Sequence, residues 1–175
     1  LKSVGTGNYT RITSGISELD RVLGGGIVLG SMILISGEPG IGKSTLIIQS
    51  ANSIALNNGT VLYVSGEESE EQVKLRADRV CENLSDNLLI FPETNIESVL
   101  AACEQSKPKF LVIDSIQTMY SEELDNTAGS ITQIRACSNL LMQYAKTNNV
   151  PIFIVAHVNK SGDLAGPKTI EHMVD

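Results

Sequence analysis

Tryptophan is absent, and aromatic residues of all kinds make up 4% of the chain. The core must therefore be built from Ile, Leu, Val and Ala, within a hydrophobic fraction of 42%, and a base-stacking platform for nucleic acid has little to stand on. Three cysteines, Cys81, Cys103 and Cys137, are an odd number, lie far apart and form no CxxC pair. They argue against disulfides and zinc, predict reduced and packed thiols, and favour the cytoplasm. No apolar run approaches the ~18 residues that cross a bilayer, and no signal peptide opens the chain. Positive charge is also short. Against 20 Asp and Glu stand 13 Lys and Arg, a net charge of −7, which argues against a nucleic-acid surface spread over the whole fold but leaves room for a local basic strip.

What is present reads as a single domain of 175 residues, long enough for a real core. It begins at Leu1 rather than Met, so it is expected to be a piece of a longer protein. Five short apolar runs read as strands: MILIS (32–36), VLYVS (61–65), LLIF (88–91), FLVID (110–114) and IFIVA (152–156). They are nearly continuous in hydrophobicity, as strands covered on both faces are. Helical patterns fill the gaps. One spans 43–56, and another spans 69–84 behind a Ser69/Gln72 capping box with Val73, Ala77, Val80 and Leu84 on one face. A third spans 95–106 with Thr94 or Asn95 as N-cap, and a fourth spans 130–146 with Ile131, Ile134, Leu141 and Tyr144 facing inward. Strand and helix in alternation predict an α/β fold with a mostly parallel sheet and helices on both faces. Ligands in such folds sit beyond the carboxyl ends of the strands, where GEPG, SGEES, DSIQT and HVNKSGD fall.

GEPGIGKS (Gly37, Glu38, Pro39, Gly40, Ile41, Gly42, Lys43, Ser44) is a full phosphate-loop motif between a strand and a helix. Its glycines let successive N–H groups turn toward phosphate oxygens, and the following helix adds its N-terminus. Lys43 is expected at the β and γ phosphates, Ser44 on Mg²⁺ and Thr45 near the α phosphate. The cofactors implied are ATP and Mg²⁺. Asp114, closing FLVID, is the matching acid of the Mg²⁺ shell. Many phosphate-loop ATPases place a water-activating Glu directly after that Asp, and here the position holds Ser115. The missing carboxylate is expected one strand over, in VLYVSGEES, with Glu67 the first choice and Glu68 the second. Both also suit the start of a helix, where acids complement the dipole.

An acid after the second strand and Asp-Ser closing the Mg²⁺ strand together resemble the RecA-like ATPases, a group that includes RecA, KaiC and the DnaB-type helicases. The stretches TSGISELDRVLGGGIVLGS, GEPGIGKSTL, YVSGEES, DSIQT and HVNKSGDLAGPKTIEHMVD narrow the resemblance to the ATPase core of the bacterial RadA (Sms) family, over nearly the whole chain. That resemblance implies a homohexameric, DNA-stimulated ATPase that translocates on single-stranded DNA and drives branch migration of recombination intermediates. Residues 1–175 would be its RecA-like core, truncated at the C-terminus. The family's zinc finger, its Lys-Asn-Arg-Phe-Gly motif and its Lon-protease-like domain would lie outside, so no zinc is expected in this stretch; no membrane partner is expected either, for want of a bilayer-length apolar run. Leu29 stands where the family usually has Pro.

His157 follows the strand at which RecA-like proteins carry a γ-phosphate-sensing polar residue; a structural histidine is the other reading. By the same resemblance the loop 159–168, with Lys160 and Lys168, lines a pore and touches DNA phosphates. Gln117 and 121–135 form a second pore-facing region, with Ser130, Gln133 and Arg135 as DNA contacts. Two other readings stand beside the motor. One is a KaiC-like module whose bound nucleotide sets assembly with slow hydrolysis; the other is a phosphate-loop kinase, which an Arg-rich lid would favour and this chain does not show.

Overall fold

The computed structural model describes residues 10–158 and 170–175. In chain order it contains β1 (Arg11–Ile12), α1 (Ser17–Val22), β2 (Ile27–Val28), β3 (Met32–Gly37), α2 (Lys43–Asn57), β4 (Val61–Ser65), α3 (Glu70–Val80), β5 (Leu88–Pro92), α4 (Ile96–Ser106), β6 (Phe110–Asp114), α5 (Ile131–Asn148) and β7 (Ile152–His157). All five expected strands form one parallel sheet in the order β3-β7-β6-β4-β5. This is the RecA-like phosphate-loop architecture that the motifs implied.

Alternate residues of each strand feed two cores, one on each face, and that explains the unbroken hydrophobic runs. Val61, Tyr63, Phe110, Val112, Phe153 and Val155 pack with Ile47, Ile48 and Ala51 of α2 and Val73 and Ala77 of α3. Leu62, Val64, Leu111, Ile113, Ile152 and Ile154 pack on the other side with Val99 of α4 and Ile134, Cys137 and Leu141 of α5. Asp114 shares the parity of Phe110 and Val112, so its side chain emerges on the α2 face, beside the phosphate loop.

Helix starts follow their caps. Ser69 and Gln72 make the reciprocal capping box of α3, and Asn95, of the two candidates, caps α4 by accepting from Ser98 N at 2.7 Å. α3 stops at Val80, short of Leu84, because Cys81 turns to extended backbone. Asn52 of α2 holds the exit, donating to Asn83 O at 2.8 Å and accepting from Ser85 N at 2.9 Å. Leu84 still packs on the core, from this loop. On α5 Ile131 is 51% exposed and does not join the inner face; Ile134, Cys137, Leu141, Tyr144 and Ala145 form it. The ladder of β1 with β2 and the six-residue α1 were not anticipated, since elements this short carry no periodicity. Among the described residues no helix is long and apolar enough to cross a membrane.

Candidate active site

The carboxyl ends of β3, β4, β6 and β7 converge on a cleft of about 330 Å³. Pro39, Gly40, Gly42, Lys43, Ser44 and Thr45 line one side, Ser65, Glu67, Glu68 and Arg76 another, and Asp114 and His157 complete it. Gly40 and Gly42 hold φ of +79° and +100°, with open space where a Cβ would stand. The loop thus has both the backbone freedom and the room to approach an anion closely.

Lys43 opens α2 and is nearly buried; its Nζ donates to Gly37 O and Glu38 O, each at 2.7 Å. Burial pulls its pKa below the usual lysine range, while the nearby Asp114 and Glu67 carboxylates oppose the shift. Ser44 and Asp114, 70 residues apart in sequence, meet at 3.1 Å, the Ser44 hydroxyl donating to Asp114 Oδ2. A hydroxyl beside a carboxylate is the hard-oxygen donor set that Mg²⁺ takes, so the residues present fit that ion.

Glu67 and Glu68 both line the cleft, but their surroundings differ. Glu67 is half exposed, at 51%, with the Ser115 hydroxyl donating to Oε1 at 3.0 Å and His157 Nε2 at 3.4 Å from the same oxygen. Glu68 is 34% exposed and ion-paired with Arg76, itself 17% exposed; its backbone N–H donates to Ser65 Oγ at 3.1 Å. Each is engaged through one carboxylate oxygen, Glu67 by Ser115 and His157 and Glu68 by the guanidinium of Arg76 on α3. Between them and β4, Gly66 is packed so closely on Thr118 that a Cβ would lie 1.9 Å from Thr118 Oγ1.

His157 meets the site through Glu67, and its backbone is held from both sides by Gln117, which donates to His157 O at 3.1 Å and accepts from His157 N at 3.4 Å. Gln117 is thus engaged at the end of β7. Of the five candidate DNA contacts, Lys160 and Lys168 lie outside the described residues. Gln133 is a correction: it is fully buried. Its amide donates to Ser121 O, Leu124 O and Asn126 O and accepts from Ser121 N, so it ties down the 121–126 loop. Ser130 is the N-cap of α5. Arg135 is exposed on α5.

Sequence reasoning missed Tyr63 and Arg76. Tyr63 OH donates to Asp114 Oδ2 at 2.6 Å. Its signal was a lone phenol in a strand core otherwise built of aliphatic and phenyl side chains. Arg76 lies on α3 and reaches back to Glu68, which precedes the N-cap Ser69; helical spacing could not have paired them.

A model of the family described as AAA domain matches residues 9–163. Among curated relatives, the DNA repair protein RadA of Streptococcus pyogenes serotype M1 is 52% identical over 175 residues, all of this chain and 38% of the relative. The protein of the same name from Listeria monocytogenes serovar 1/2a is 52% identical over 165 residues, 94% of this chain and 36% of the relative. That of Bacillus subtilis strain 168 is 47% identical over 175 residues, all of this chain and 38% of the relative. The chain thus spans less than two fifths of the length of these relatives.

Proposed function

This chain belongs to the AAA domain family and is homologous to the DNA repair protein RadA, and from that premise we propose that it is the ATP-hydrolysing core of a DNA-repair motor. The observation that carries the proposal is the convergence of Lys43, Ser44, Glu67, Asp114 and His157 from four strand ends on one cleft.

In this reading the glycine loop and Lys43 hold the phosphates, Lys43 exchanging the Gly37 and Glu38 carbonyls for phosphate oxygens. Ser44 and Asp114 hold Mg²⁺, which when bound neutralises charge on the β and γ phosphates. Glu67 orients and deprotonates the attacking water through the oxygen that Ser115 and His157 leave free. Glu68, paired with Arg76, is the lesser candidate. His157, touching Glu67, links the γ-phosphate position to the segment that follows it.

The finer reading is a cytoplasmic homohexamer that moves on single-stranded DNA and acts on recombination intermediates. Its support is the relatives' name and the exposed Arg135 on the same chain; Lys160 and Lys168 belong to the same proposal. The test is the ATPase rate of the full-length protein with and without single-stranded DNA. Strong stimulation supports the motor. A slow rate indifferent to DNA overturns it in favour of a nucleotide-gated assembly module.

A further inference from the structure

Tyr63 sits at the middle of β4, fully buried, in a core whose other contributors are almost all aliphatic or phenyl. A phenol hydroxyl in that position costs stability unless it finds a partner. Its partner is Asp114 Oδ2, at 2.6 Å. The same oxygen accepts the Ser44 hydroxyl at 3.1 Å. One carboxylate oxygen is therefore fixed by two hydroxyls from different elements, one rigid in the sheet and one on the first turn of α2. Among the described residues Oδ1 receives no hydrogen bond, so it is the oxygen left for the cleft.

We infer that Tyr63 is a positioning residue for the metal half of the site: its hydroxyl pins Asp114 so that Oδ1 and the Ser44 hydroxyl present a fixed pair of oxygens to the Mg²⁺ of a bound nucleotide. The inference rests on the nucleotide-binding reading above and deepens it. Ser44 stands on the first turn of α2 and Tyr63 in the middle of a sheet strand, which makes Tyr63 the stiffer of the two anchors. The sheet makes that anchor stiff, because β4 is paired on both sides, with β5 and β6. Asp114 is the register partner of Ser65, two residues beyond Tyr63 and on the same face, so the phenol reaches the carboxylate diagonally across neighbouring strands. Phe at this position would fill the same space and offer no donor.

The experiment uses the full-length protein and a fluorescent ATP analogue. Binding is titrated in EDTA and then across increasing Mg²⁺, for the wild type and for Tyr63→Phe. Loss of one hydrogen bond to a charged acceptor predicts roughly a tenfold rise in the Mg²⁺ concentration needed for half-maximal tightening. Affinity in EDTA stays as in the wild type, because the loop and Lys43 are untouched. Melting curves of both proteins set a temperature at which each is folded, and the titrations are run there. A purely structural tyrosine lowers the melting temperature and leaves the Mg²⁺ midpoints coincident, which overturns the inference. Equal weakening with and without Mg²⁺ overturns it as well. A wild type that binds no nucleotide under either condition is a different failure, that of the parent reading.

Discussion

Ser115 donates its hydroxyl to Glu67 at 3.0 Å, so the residue that occupies the usual place of the catalytic acid instead holds the acid that arrives from the next strand. Asp114 and Ser65 are register partners, and that pairing sets their successors, Ser115 and Gly66, side by side with Glu67 just beyond. Glu67→Gln is therefore expected to keep nucleotide binding and to lower the hydrolysis rate by about 10²–10⁴, the usual worth of a general base. Glu68→Gln breaks the pair with Arg76 and loosens the start of α3, with a smaller loss in rate. Steady-state rates beside nucleotide affinities decide it; a larger rate loss in Glu68→Gln reverses the assignment.

The strands, the phosphate loop and the pair Ser44–Asp114 were legible in the sequence because each follows from local chemistry plus one topological rule. Two-face burial writes its signature residue by residue, and the loop motif needs a strand before it and a helix after it. The sequence ranked Glu67 ahead of Glu68, but the different surroundings of the two acids were not legible, since Arg76 and Ser115 approach from other elements. Gln133 misled for the same reason. A glutamine in the first turn of a helix looks like a surface residue, and only the fold of 121–126 back over it makes it internal.

That burial carries its own prediction. Gln133→Leu takes the partner from the buried Ser121 N and from the part-buried Leu124 and Asn126 carbonyls, while Ser121 O keeps Leu124 N. One buried group left unsatisfied costs about 1–3 kcal/mol, and the two part-buried carbonyls turn to water, so a loss of about 1–3 kcal/mol in unfolding free energy is expected from urea denaturation. A change under about 1 kcal/mol would mean that water replaces the amide and the loop is not held by it.

Lys43→Ala removes the cation between the loop carbonyls and the two carboxylates that face it, Asp114 and Glu67. Among the described residues Lys43 is the one lysine lining the cleft, and nucleotide affinity should fall by at least about tenfold without it. The fold should survive, because the cation is held by the loop's own carbonyls rather than by a distant element. Isothermal titration with ATP and a melting curve separate the two effects. Wild-type affinity in this variant would move the nucleotide elsewhere.

Gly66→Ala tests the closeness of the SGEES turn to the segment after Asp114. The added methyl would meet Thr118 Oγ1 at 1.9 Å and Cβ at 2.7 Å, so either Thr118 or the turn must shift. Overpacking of this kind costs about 1–3 kcal/mol. Because Glu67 is the next residue, hydrolysis should fall together with stability. The double variant Gly66→Ala/Thr118→Ala, which removes Oγ1 but leaves Cβ in the way, should recover only part of either. Full activity in Gly66→Ala alone would show that the turn is free to move without cost to the site.

Alkaline pH should weaken the fold through its buried thiols. Burial pushes the Cys103 thiol up to about 11 and the Cys137 thiol up to about 12, from an ordinary value of 9.0. Buried Tyr63 is likewise raised well above 10.0, by desolvation and by the Asp114 carboxylate beside it. Between about pH 9 and pH 11 the unfolded chain has released thiol protons that the native chain keeps. Stability depends on pH with the sign of protons bound unfolded minus protons bound native, which is negative in that window. The contribution is therefore complete below pH 9 and is lost as pH rises through the native values. Urea midpoints measured at intervals from pH 8 to pH 11 should fall steadily above pH 9, and Cys137→Val should flatten the fall. Midpoints that hold level to pH 11 would mean that Cys103 and Cys137 titrate in the native state much as free thiols do, and that the α5 face of the core is open to solvent.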